Sequence, residues 1–261
     1  MSAKQPSWQG RGTALAPEGL TLRGIKFFEG LETGAVDAFS SSAIWQRFDE
    51  GQMIFDQESD GLEVHFVFQG CVRLLTSVDG GEPVTLAEVK TGEIFGELAA
   101  IDHLGRSARA LAVSDTILAS IHGPVFVRLL EDFPKVAARM LKRLAGIIRS
   151  MDVRLTNIAV LTPIQRVIAE LMRRAEPDVR VPGMWIIPFA PSHGDIASWT
   201  GLGREQVAQT IGALAREALL RRRGGSLVLM DWAALQSMVK PAHTRRDGSG
   251  TALDGAIKLP A

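Results

Sequence analysis

The chain has 261 residues, 46% hydrophobic and 22% charged, an ordinary globular composition with room for two domains. No apolar run reaches the roughly 18 residues of a membrane helix, Met1–Ala16 lacks the apolar core of a signal peptide, and Cys71 alone excludes a disulfide framework or an iron–sulfur cluster, which takes about four thiolates. The zero formal charge conceals an asymmetry: residues 1–123 carry 9 Lys and Arg against 17 Asp and Glu, residues 124–261 carry 20 against 12, and the basic back half suits a polyanion. A cytoplasmic protein with two jobs is the simplest reading.

Residues 1–20 are rich in Gly, Pro, Ser and Gln without a period, which predicts a disordered tail. Between Gly24 and Trp45, the spacing of Phe27, Phe28, Leu31, Val36, Phe39 and Ile44 predicts one or two short amphipathic helices. From Phe48 to Ile121 the texture changes to short apolar runs at Met53–Phe55, Val64–Phe68, Val72–Leu75, Val84–Val89, Ala110–Val113 and Ile117–Ile121. Turn signals separate them at Asp60-Gly61, Gln69-Gly70, Asp79-Gly80-Gly81 and Thr91-Gly92, and the pattern predicts a small β-barrel or roll.

Between the strand ending near Val89 and the one starting near Arg109 lies Phe95-Gly96-Glu97-Leu98-Ala99-Ala100-Ile101-Asp102-His103-Leu104-Gly105-Arg106-Ser107-Ala108. Glycine lets backbone approach a ligand closely, and converging amides around Gly96, Glu97, Leu98 and Ala99 would form a nest for an anion. A carboxylate such as Glu97 can accept from a sugar hydroxyl. Arg106 can meet a phosphate with two parallel charge-assisted bonds, and Ser107 can add a hydroxyl. A surface salt bridge between Glu97 and Arg106 is the plainer alternative. The stretch resembles the phosphate-binding cassette of cyclic-nucleotide-binding domains. The resemblance implies that Glu97 holds the ribose 2′-hydroxyl, Arg106 the cyclic phosphate, and Ser107 supports it.

After Gly123-Pro124 the period is helical, with a break at Asp132-Phe133-Pro134. Ala137, Leu141, Leu144, Ile148, Met151, Leu155 and Ile158 then alternate spacings of four and three, which keeps an apolar stripe facing a partner helix. Arg139, Lys142, Arg143, Arg149 and Arg154 lie between them as a solvated flank. The stripe fits a parallel homodimer, with a helix lying on the roll as the alternative. Thr162-Pro163 starts the next helix, and Val179 to Phe189 read as two short strands around Pro182-Gly183.

Ser192 caps a helix containing Ile196, Ala197 and Trp199, Thr200-Gly201-Leu202-Gly203 makes a turn, and a second helix runs from Arg204 through Val207, Ile211 and Leu214. This is a helix-turn-helix pattern in which Ala197, Gly201, Val207 and Ile211 sit where the helices pack. Arg221-Arg222-Arg223-Gly224-Gly225-Ser226, ahead of Leu227-Val228-Leu229, looks like a basic wing placed to meet phosphates. Arg204-Glu205-Gln206-Val207-Ala208-Gln209 resembles the recognition helix of the cyclic-AMP receptor/FNR (Crp/Fnr) family of bacterial transcription regulators, and the domain order matches over roughly residues 20–235.

That resemblance implies an α+β protein. An N-terminal β-roll for the cyclic nucleotide (21–132), a dimerisation helix (133–161) and a winged helix-turn-helix (162–239) would lie between tails at 1–20 and 240–261. On the DNA side, Arg204 can bond guanine, Glu205 can accept from cytosine, and Gln209 favours adenine where the founder type has a second arginine; Ser192 and the wing arginines complete the expected contacts. Base contacts fall to Met151 and Asp152, where the founder type has hydroxyl residues. An Asp152 carboxylate can take both donors of guanine's edge, so cyclic GMP stands beside cyclic AMP; a solvated Asp152 is the alternative. The implied function is a non-enzymatic, cyclic-nucleotide-gated regulator acting as a homodimer on a palindromic double-stranded operator, with RNA polymerase as a further partner and without metal, haem or membrane. The rival readings are a family member that binds DNA without nucleotide, and a nucleotide-binding module that docks a protein.

Overall fold

Both faces of one strand are covered, and the N-terminal half is built around it. In the computed structural model, which describes residues 12–16, 19–77, 83–188 and 190–239, the strand β4 (Val64–Gln69) reads Val-His-Phe-Val without polar alternation. Such continuity marks a strand buried on both sides. Phe66 packs with Trp45, Phe27, Phe28 and Phe126 on one side; Val67 packs with Phe48, Phe55, Phe95 and Leu118 on the other. The chain divides into two units, 1–148 and 149–261.

The first unit holds β1 (Thr13–Ala14), a 3-10 turn at Lys26–Phe28, α1 (Thr33–Ser42), β2 (Ile44–Phe48), β3 (Met53–Phe55), then β4. After it come β5 (Cys71–Thr76), β6 (Val84–Lys90), β7 (Ile94–Phe95), α2 (Glu97–Asp102), β8 (Arg109–Ala112), β9 (Thr116–Ile121), α3 (Gly123–Asp132) and the start of α4 (Pro134–Val160). Two antiparallel sheets, ordered β1-β2-β9-β4-β7 and β3-β8-β5-β6, enclose the Phe48–Leu118 core; the 3-10 turn, α1, α3 and the first turns of α4 cover the outer face of the five-stranded sheet. The expected roll is therefore present, with its expected strands.

Two details differ from the sequence expectation. Thr13–Ala14 pairs with Arg47 and Gln46 of β2, inside the stretch that composition assigns to a tail. Trp45 belongs to a strand, not to the end of a helix, because its indole packs in the core and Nε1 donates to the Ser40 carbonyl at 3.2 Å. The expected Asp79-Gly80-Gly81 turn, residues 1–11 and residues 240–261 lie outside the described residues.

The second unit continues α4 and adds α5 (Pro163–Arg174), β10 (Glu176–Pro177), β11 (Trp185–Ile187), α6 (His193–Thr200), α7 (Arg204–Arg216), β12 (Leu220–Arg223), β13 (Ser226–Leu229) and α8 (Trp232–Val239). α5 begins with a reciprocal capping box between Thr162 and Gln165. α6 and α7 pack through Ile196, Ala197, Trp199, Val207 and Leu214 over a sheet ordered β10-β11-β13-β12. The first of the two strands expected between Val179 and Phe189 lies earlier, at Glu176–Pro177. Arg180 N–H donates to Asp178 Oδ1 at 2.9 Å, an Asx turn that overrides the β preference of Val179 and leaves it 97% exposed. Phe189 lies outside the described residues.

Candidate functional site

The cassette sits where β7 ends and α2 begins. Gly96 has φ +81°, and a Cβ there would lie 2.6 Å from Arg106 Nη1 and 2.9 Å from the Glu63 carbonyl, so both the backbone angle and the space require glycine. Glu97 opens α2 with its side chain buried, Leu98 turns outward, and Ala99 is buried. Nine residues beyond Glu97, Arg106 is only 2% exposed, against 4% for Glu97. A buried guanidinium needs acceptors. Arg106 Nη1 donates to the Gly96 carbonyl at 2.8 Å, Nη2 donates to the Glu63 carbonyl at 2.8 Å, and the Glu63 carboxylate lies 3.5 Å from Nη2. The guanidinium also lies 4.3 Å above the Phe55 ring, while Nε has no hydrogen-bond partner among the described residues.

Glu97 and Arg106 are thus brought to one buried pocket, but each has another ion-pair partner. Arg143 Nε stands 3.7 Å from Glu97 Oε1. That corrects the expectation of a wholly solvated flank: Arg143 reaches from α4 to the cassette, and Arg139 Nη1 donates to the Phe27 carbonyl at 2.8 Å. Ser107 is exposed beside the pocket. Backbone bonds from Arg106 N–H to Ser59 and from Glu58 N–H to Arg106 clamp the exit of the cassette.

Burial dominates the electrostatics. It pushes the Glu97 carboxyl up, with Arg143 pulling back, and pushes the Glu63 carboxyl up as well. It lowers Arg106 to about 10, against the pull of Glu63 and Glu97. His65, fully buried, is held well below the usual histidine range by burial and by Arg106. Its Nδ1 is 2.8 Å from Ser120 Oγ, its ring stacks on Phe95, and Nε2 has no partner among the described residues. The pocket chemistry, a desolvated cation with an unused N–H beside a glycine and a carboxylate, fits a sugar phosphate.

Glu63, His65, Phe55 and Arg143 were not singled out from sequence as pocket residues. Glu63 stands 43 residues before Arg106, and no local spacing announces such a contact. Met151 and Asp152 both lie exposed on α4, as do Leu141, Ile148, Leu155 and Ile158 of the expected seam; Leu141 is 68% and Leu155 66% exposed. Leu144 is partly buried against the core of the first unit.

In the second unit, Arg204, Glu205 and Gln209 are exposed on α7 while Val207, Thr210 and Leu214 are buried on its other side. Arg204 lies against Gly194, where a Cβ would come 3.3 Å from its guanidinium. Gly201 does not pack between the helices as expected. It is exposed, with φ +66°, and ends α6, while Leu202 fills the core instead. Ser192 is exposed at the start of α6, where its hydroxyl donates to Asp195 Oδ2 at 2.7 Å and accepts from Asp195 N–H at 3.1 Å, the cap that the sequence predicts. β12 and β13 form the wing around Gly224-Gly225. Arg221 and Arg222 are exposed, whereas Arg223 pairs with the buried Asp178 carboxylate.

Among the described residues no helix is long and apolar enough to cross a membrane, and no three His, Cys, Asp or Glu side chains cluster as metal ligands. Residues 45–133 match the cyclic nucleotide-binding domain, and residues 165–238 the Crp-like helix-turn-helix domain. The chain is 30% identical to the cyclic AMP receptor protein of Thermus thermophilus over 217 residues, which are 83% of this chain and 98% of that one. The solved structure of FixK2 from Bradyrhizobium japonicum shares the fold, with a TM-score of 0.65 at 22% identity over 77% of this chain and 98% of that one. Lysophospholipase NTE1 of Chaetomium globosum is 27% identical over 107 residues, 41% of this chain and 7% of the enzyme, so that likeness stops at the nucleotide-binding domain.

Proposed function

Since the chain belongs to the Crp/Fnr family of transcription regulators, we propose that cyclic AMP or cyclic GMP, bound at the cassette, switches a homodimer into the arrangement that grips a palindromic operator. The observation that carries this reading is Arg106: a buried guanidinium with an unused Nε, framed by Gly96 and Glu97. In the proposed complex the cyclic phosphate takes Arg106, Ser107 and the amides from Gly96 to Ala99, and the ribose 2′-hydroxyl donates to Glu97. The base meets Met151 and Asp152 of the dimer helix.

The exposed stripe of α4 supports the homodimer, because Leu141, Ile148, Leu155 and Ile158 lie open in a single chain. For the DNA side, α7 offers Arg204, Glu205 and Gln209 to base edges, and Arg221 and Arg222 offer charge to phosphates. Ser192, at the start of α6, and Arg223, whose guanidinium also pairs with Asp178, complete the proposed contacts. The protein works in the cytoplasm, and RNA polymerase is the partner through which a bound regulator acts.

Calorimetry with cyclic AMP and cyclic GMP, repeated on Arg106→Lys, tests the reading. Lysine keeps the charge but loses the paired N–H groups. We expect micromolar binding to the unmodified protein and at least about tenfold weaker binding to the variant; equal affinities would remove Arg106 from the site. A second reading, DNA binding without nucleotide, has an observation of its own: Arg106 and Glu97 already hold Glu63 and Arg143. Operator binding with the same affinity in the presence and absence of both nucleotides would select it.

A further inference from the structure

We propose that Glu63 is an internal anion that holds Arg106 until a cyclic phosphate displaces it, and so sets the affinity of the cassette. The inference rests on the reading of the cassette as a cyclic-nucleotide site. Nε and Nη2 share the guanidinium edge that takes an oxyanion with two parallel bonds. In Arg106 that edge is half occupied: Nε has no partner, while Nη2 faces both the Glu63 carbonyl at 2.8 Å and the Glu63 carboxylate at 3.5 Å. The carbonyl is backbone and compatible with a ligand alongside it. The carboxylate is not, because a phosphate seated on the same edge would bring two anions together where water is excluded.

Charge bookkeeping points the same way. Two buried carboxyls, Glu63 and Glu97, already surround Arg106. Glu97 has a second cation in Arg143, and its carboxyl serves the ribose hydroxyl. Glu63 serves no sugar hydroxyl, and beside Arg106 it is drawn by the His122 imidazole rather than by a second guanidinium. Burial lifts its carboxyl above the usual range, as it does that of Glu97. A ligand phosphate replaces the one charge whose removal relieves the pocket, and Glu63 thereby raises the nucleotide concentration needed for occupancy.

Titrating the full-length protein with cyclic AMP and with cyclic GMP by calorimetry, in the unmodified chain, Glu63→Gln and Glu63→Asp, provides the test. Glu63→Gln keeps the shape and the backbone carbonyl but removes the competing charge. It is expected to bind both nucleotides about tenfold more tightly. Glu63→Asp withdraws the charge by one methylene and is expected about threefold tighter, which keeps the question open to measurement if the glutamine variant fails to fold. The ratio of cyclic AMP to cyclic GMP affinity stays fixed, since the phosphate is common to both. Binding by Glu63→Gln alone is the extreme of the same effect and supports it. Unchanged or weaker binding by folded variants, when the unmodified chain binds, overturns the inference and leaves the cassette assignment standing. No binding of either nucleotide by any of the three proteins overturns both.

Discussion

At the scale of single residues, the pocket is governed by groups that water cannot reach. Gly96 is the least replaceable. Gly96→Ala places a Cβ at φ +81° and 2.6 Å from Arg106 Nη1, which is expected to cost about 1–3 kcal/mol of stability and to abolish nucleotide binding; denaturant unfolding and calorimetry read the two effects. His65 makes a pH-dependent prediction. Its folded value lies well below the 6.5 of an unhindered histidine, so below about pH 6.5 the unfolded chain takes up a proton that the folded chain refuses. Stability contributed by the neutral ring is therefore complete above pH 6.5 and is lost as the pH falls below it, at up to about 1.4 kcal/mol per pH unit. The raised carboxyls of Glu63 and Glu97 act with the opposite sign, since theirs is present below 4.5 and lost as pH rises through their folded values. Comparing the chain with His65→Gln cancels those terms. The difference in stability between the two proteins is expected to change across pH 6.5 to 5; parallel stability curves would remove His65 from the account.

At the scale of elements, sequence and structure agree where the signal is local and part where it is not. The strands from Met53 to Ile121 follow from short apolar runs between turn residues, and the caps at Thr162 and Ser192 from a hydroxyl residue three positions before Gln165 and Asp195. β1 is legible in neither way: two residues, Thr13 and Ala14, become a strand only because β2 offers an edge. Glu97 and Arg106 could be read as a pair because one motif spaces them. Glu63 and Arg143 join them through tertiary packing alone, so a helix flank that looks solvated carries an arginine that reaches the cassette. The α4 stripe tests the other local reading. Leu141 and Leu155 are mostly exposed in one chain, so replacing both by Glu should leave the helix content of a single chain unchanged. The same change should convert a dimer to a monomer in analytical ultracentrifugation; a dimer that survives both substitutions would place the interface elsewhere.

At the scale of the whole molecule, the proposed switch is a coupling free energy, which must act equally in both directions. The residues available to carry it include Arg143, whose guanidinium pairs in charge with Glu97 of the cassette from a helix that also bears Met151 and Asp152. If nucleotide tightens operator binding by a factor within the usual range of about 5 to 150, operator must tighten nucleotide binding by that same factor taken over both cassettes of the dimer, and Arg143→Gln should shrink both together. Two titrations measure this: operator with and without saturating nucleotide, and nucleotide with and without saturating operator. The DNA arm must be run across salt, because phosphate contacts make the affinity fall steeply with ionic strength. Arg221→Ala is expected to lower the salt slope by about 1 and to weaken all sequences alike, without altering the coupling factor, since Arg221 lies exposed on the wing. Unequal factors would mean that one of the two titrations is not at equilibrium. A factor of one in both would mean that the cassette does not control the reading helices at all.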